Sequence, residues 1–86
     1  MSRQRSMEAI LASEHVSIGE LVRITGSRYS TLKHYTEEGM LPFEQAEENL
    51  TRRYEREETV ARIVRIKELK ANGFSIPQIK EAIGMN

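Results

Sequence analysis

Apolar residues fall into helical spacing in four successive stretches of the chain, with a weaker echo near its start. At residues 18–24 the string IGELVRI sets Ile18, Leu21, Val22 and Ile24 on one side of a helix. Ser17 and Glu20 stand in the S-x-x-E relation of a capping box, in which each side chain takes up a free backbone N–H of the first turn. Thr25, Gly26 and Ser27 end this helix, because Gly26 can enter the left-handed region that a tight reversal needs. A second helix is predicted from Arg28 to Glu38. Its apolar positions are Tyr29, Leu32 and Tyr35 or Thr36, so only a narrow stripe can be buried. Gly39 closes it, Met40 and Leu41 return to the core, and Pro42 breaks the pattern. Two short helices joined by a Gly-containing turn match the helix-turn-helix unit. Neither is long enough to stand alone, so a third element must complete the core.

That element is the long amphipathic stretch REETVARIVRIKELKANG at residues 56–73. Val60, Ile63, Val64, Ile66, Leu69 and Ala71 form a wide apolar stripe, and Arg62, Arg65, Lys67, Glu68 and Lys70 the polar side. Glu57 and Glu58 suit its positive N-terminus, Lys67 and Lys70 its negative C-terminus, and Gly73 ends it. FSIPQIKEAIG then predicts a short helix capped by Ser75, with Pro77 tolerated in the first turn and Phe74, Ile76, Ile79 and Ile83 facing inward. Between these helices, Leu50, Arg52 and Tyr54 alternate with Thr51 and Arg53 as a strand would, which predicts a small β-hairpin wing with its loop at 45–49 and Asn49 as the turn residue. Residues 1–14 form an N-terminal extension whose Met7, Ile10 and Leu11 fit either a short packed helix or a frayed tail. The expected fold is mainly α, a winged helix-turn-helix of about four helices and a small hairpin over residues 15–86.

Length and composition narrow the function. The chain has 86 residues, room for one small domain, and no Cys, so disulfides and thiolate metal sites are excluded. No apolar run approaches the roughly 18 residues of a membrane span, and no secretory leader is visible, so a cytoplasmic protein is expected. The formal net charge is zero, from 13 basic and 13 acidic residues, but the charge lies in blocks. Arg23, Arg28 and Lys33 occur without an acid between residues 23 and 34. Five Glu and no base follow between 37 and 48, and then come Arg52, Arg53 and Arg56. Asp is also absent, and the two histidines, His15 and His34, sit in unrelated contexts. No metalloprotease, P-loop, dinucleotide or EF-hand pattern is present, so neither an enzyme nor a cofactor or metal site is expected.

Nucleic acid fits better. With only a narrow stripe buried, the second helix presents Arg28, Ser30, Thr31, Lys33 and His34 outward. Arg and Lys neutralise phosphates and reach guanine edges, while Ser, Thr and His supply hydrogen bonds. Arg52 and Arg53 on the hairpin can reach the backbone beside the groove. The alternative is an ordinary solvated helix beside a salt-bridging loop.

The order of these features resembles the MerR family of winged-helix transcription regulators from about Ser17 to Gly84. IGEL, TG, TL, HY, GML, RRY and GFSIPQI stand where that family shows I-G-E-L-A, a T-G turn, T-[LI]-R-Y-Y-E, G-L-L, G-Y-R-x-Y and G-F-S-L-x-x-I. The resemblance implies a bacterial regulator of transcription that binds double-stranded DNA and is nucleoid-associated when bound. It implies base-edge contacts near Arg28, Tyr29 and Ser30, and phosphate contacts by Lys33, His34, Tyr35 and Arg52, to which the hairpin adds Arg53. Lys33 replaces the family's Arg, keeping charge but losing the bidentate fork. Ser27 and Arg28 replace an apolar residue and a capping Ser, so the cap is expected one residue earlier. Leu50 and Thr51 replace Gly-Tyr in the wing, and Glu44, Glu47 and Glu48 precede it. The family's dimerisation helix and effector domain would lie beyond Asn86, so no small-molecule effector is expected to act through these residues, and self-association or a protein partner stays open. Rival expectations are a protein-interaction adaptor and an excisionase-like architectural accessory protein on the same fold.

Overall fold

The capping box read from Ser17 and Glu20 is formed: the Ser17 hydroxyl accepts the Glu20 N–H at 3.2 Å, and the Glu20 carboxylate accepts the Ser17 N–H at 2.9 Å. It opens the second of five helices in the computed structural model, which describes residues 5–48 and 50–84. Among the described residues the order is α1 (Met7–Ala12), β1 (His15–Val16), α2 (Ile18–Thr25), α3 (Tyr29–Glu37), β2 (Tyr54–Glu55), α4 (Arg56–Ala71) and α5 (Ile76–Ala82). The architecture is the mainly helical winged helix-turn-helix expected, with one helix more. Gly26 ends α2 at φ 70°, and Gly39 follows α3 at φ 77°, both in the left-handed region where a Cβ is disfavoured. A second capping box, Ser75 with Gln78, opens α5.

The core is a single cluster to which every element contributes. Ile10 of α1, Val16 of β1, Leu21 of α2, Leu32 and Tyr35 of α3, Tyr54 of β2, Ile63, Ile66 and Leu69 of α4 and Ile79 of α5 meet Met40 and Leu41 there. Ile10 is fully buried, which settles the fate of residues 7–12 as a packed helix. Arg5 ties the segment down further, since its guanidinium donates to both carboxylate oxygens of Glu20 at 2.7 and 2.8 Å and to the Ser13 hydroxyl.

The apolar stripes are narrower than the sequence suggested. On α4 the buried positions are Thr59, Ile63, Ile66 and Leu69, while Val64 is 49% exposed and Ala71 is also exposed. Three- and four-residue steps from Thr59 stay on one line of the helix, and Val64 lies one residue, about 100°, off it. Phe74, expected to face inward, is exposed, and so is Tyr29 at the start of α3.

The wing also differs from a regular hairpin. β2 pairs antiparallel with β1, His15 opposite Glu55 and Val16 opposite Tyr54. The expected partner strand after Pro42 contributes one residue pair, in which Glu44 and Arg53 exchange backbone hydrogen bonds at 2.7 and 2.8 Å. Beyond that pair the loop is tied by the Gln45 side-chain amide, which donates to the carbonyls of Glu48 and Leu50. The expected turn residue, Asn49, lies outside the described residues.

Candidate nucleic-acid interface

α3 is held against the domain by two side-chain contacts, one on its inner face and one at its end, and the end of α2 before it by a third. Inside, the Thr36 hydroxyl donates to the Leu32 carbonyl at 2.9 Å and lies 2.9 Å from the Tyr54 hydroxyl, with both residues buried. One proton is already committed, so the Tyr54 hydroxyl donates to Thr36. This bond ties α3 to the base of the wing. Before the helix, Lys67 Nζ donates to the Thr25 carbonyl at 3.0 Å. At its end, Lys80 Nζ meets the Glu38 carboxylate at 2.8 Å, a bond that holds the Glu38 carboxyl below its usual range.

The N-terminus of α3 is open. Arg28 occupies the cap position in extended backbone, its side chain makes no cap bond, and no acid stands in the first turn. The cap expected at Ser27 is absent: Ser27 is buried, and its hydroxyl bonds Thr25 Oγ1 at 3.0 Å. The hydroxyl is thus spent on the turn. The first-turn N–H groups and the positive end of the helix dipole are left for a ligand or water.

Of the eight residues read from the sequence as contacts, three converge. Tyr29 and Lys33 of α3 and Arg52 of the wing line one groove of about 340 Å³, together with Ile18, Glu48 and Leu50. The Arg52 guanidinium lies 4.7 Å from the Phe43 ring centroid, and that ring packs against Tyr54 at 6.0 Å, so the cation is braced through the wing base. Arg28, Ser30 and His34 are exposed on α3 outside this groove. Arg53 is directed elsewhere and lines a separate depression with Arg5, His15, Ser17 and Glu20. Tyr35 is 4% exposed, and burial pushes its hydroxyl pKa up, so the ring is a core anchor of α3. Leu50 and Glu48 were not read as site residues. Leu50 had a signal, because strand alternation places it two residues from Arg52 and hence on the same face.

The fold and this groove define a helix-turn-helix protein whose braced α3 lies beside a wing that carries Arg52 and Arg53. The chain belongs to the MerR HTH family of regulatory proteins, whose model matches residues 16–85. Membership in this family points to a non-enzymatic regulator. Curated relatives include two proteins named Nodulation protein NolA, from Bradyrhizobium elkanii and Bradyrhizobium sp. (strain NC92). They are 38% and 36% identical to the chain over 66 residues. The matched region is 77% of this chain but 30% and 27% of those proteins, so the chain spans less than a third of their length. No solved structure matches the chain.

Proposed function

We propose that the chain binds double-stranded DNA sequence-specifically as the DNA-reading part of a bacterial transcription regulator, working in the cytoplasm and on the nucleoid when bound. The observation that carries this reading is the convergence of Tyr29, Lys33 and Arg52, from two separate elements, on one groove beside the uncapped start of α3. In this reading α3 enters the major groove with Arg28, Tyr29 and Ser30 at base edges. Lys33, His34 and Arg52 hold phosphates, Arg53 meets the backbone farther along the wing, and Tyr35 sets the helix from inside. One such domain reads one half-site, so a two-fold operator calls for a second copy.

Fluorescence anisotropy with a mixed-sequence duplex tests it. The double variant Lys33→Ala, Arg52→Ala is expected to weaken binding about tenfold or more at low salt and to reduce the salt slope by about two, since each lost phosphate contact releases one counterion fewer. Unchanged affinity, or binding by the parent chain that ignores salt, overturns the reading and favours a protein-interaction surface.

A further inference from the structure

Three glutamates precede the wing arginines, and the structure separates them. Glu44 is paired, its carboxylate 2.9 Å from His15 Nε2. Glu47 is exposed and lies outside the groove lined by Tyr29, Lys33 and Arg52. Glu48 lines that groove, facing the same space as the two cations and Leu50. The Gln45 amide donates to the backbone carbonyls of both Glu48 and Leu50 and so ties this part of the loop together.

A helix seated in the major groove with a wing beside it straddles one sugar–phosphate strand, and the space between helix and wing is where that strand runs. The lining suits such an occupant in two respects and opposes it in one. Lys33 and Arg52 supply positive charge. Tyr29 and Leu50, 55% and 48% exposed, offer apolar surface of the kind a deoxyribose covers. Glu48 places a carboxylate beside the phosphates.

Resting on the DNA-binding reading above, we propose that this groove seats a single sugar–phosphate strand of the duplex, with Leu50 packed against a deoxyribose and Glu48 limiting affinity by repelling phosphate. Non-specific binding is almost wholly electrostatic, so a fixed negative charge in the strand seat weakens it directly. This also gives the zero net charge a role, since a weak general attraction suits a protein that must leave wrong sites.

The test compares Glu48→Gln, Glu47→Gln and Leu50→Ala with the parent chain on a mixed-sequence duplex. All three side chains are exposed, so folding is preserved and is checked by thermal melting. E48Q is expected to bind about threefold tighter at about 50 mM salt, with the gain fading by about 200 mM as screening shortens the repulsion. E47Q stays near the parent. L50A weakens binding about fivefold at both salt levels, because an apolar contact is not screened. If E48Q matches the parent or E47Q, or if L50A is silent, while the parent binds in a salt-sensitive way, this proposal alone falls. If the parent shows no salt-sensitive binding, the DNA-binding reading falls and takes the proposal with it.

Discussion

Glu20 serves two partners at once, and its carboxyl shows it. The Arg5 guanidinium is the larger influence, the Ser17 N–H adds to it, and together they outweigh burial and hold the pKa down from 4.5 to about 2. A folded-state value below the unfolded one stabilises the fold fully above pH 4.5 and is lost as pH falls toward 2. Glu20→Gln separates the two roles, because Gln at this position still completes a capping box, as Gln78 does in α5. The Arg5 side chain is 42% exposed, so solvent screens the ion pair. The variant is therefore expected to melt only about 2–5 °C lower at neutral pH. Melting curves across the acid range should show that gap closing as pH approaches 2. A gap of constant size would mean that the charge is not what Glu20 contributes.

At the scale of elements, α3 is the helix whose stability is set against its use. A cap residue with a hydroxyl would satisfy an N–H of its first turn, and the extended backbone of Arg28 already has the geometry for one. Arg28→Ser is thus expected to stabilise the fold by about 0.5–1 kcal/mol in urea denaturation while weakening duplex binding, since it removes a cation and closes the helix end. A variant that gains stability and keeps full affinity would show that the open end is not part of the interface. This element also shows how far the sequence could be read. Spacing and glycines gave its limits to within a residue, as Gly26 and Gly39 both take the left-handed backbone expected of them. The cap was misplaced because Ser27 has two uses for its hydroxyl, and only the folded turn reveals that Thr25 Oγ1 takes it. β1 was missed because a two-residue strand has no alternation to detect, and its pairing is supplied by β2 some forty residues away. The groove was half legible: Tyr29, Lys33 and Arg52 were named from residue type, but their convergence depends on a wing held by the Glu44–Arg53 bridge, the Gln45 amide and a buried Tyr54–Thr36 bond.

For the whole molecule the question is whether the segment before β1 is part of the domain or attached to it. A chain of 86 residues builds one small core with little stability in reserve. Met7, Ile10 and Leu11 share a helical spacing that cannot say which of them packs. The fold decides: Ile10 is fully buried in the common cluster and Leu11 is 47% exposed. Arg5 adds the contacts to Glu20 and Ser13 on the outside, and α1 lies against α2, the first helix of the helix-turn-helix. If α1 is an integral part of the core, Ile10→Ala should cost about 2–5 kcal/mol, the range for emptying a buried aliphatic site, out of a total of about 5–10 kcal/mol for a domain of this size. Leu11→Ala, on the same helix turn but in solvent, should stay within about 0.5 kcal/mol of the parent. Urea denaturation followed by circular dichroism measures both. A single transition for each variant, with Ile10→Ala shifted far more than Leu11→Ala, would make residues 5–14 part of the cooperative unit that orients α2 and through it α3. Equal shifts would leave the helix-turn-helix standing without them and reduce α1 to an appendage.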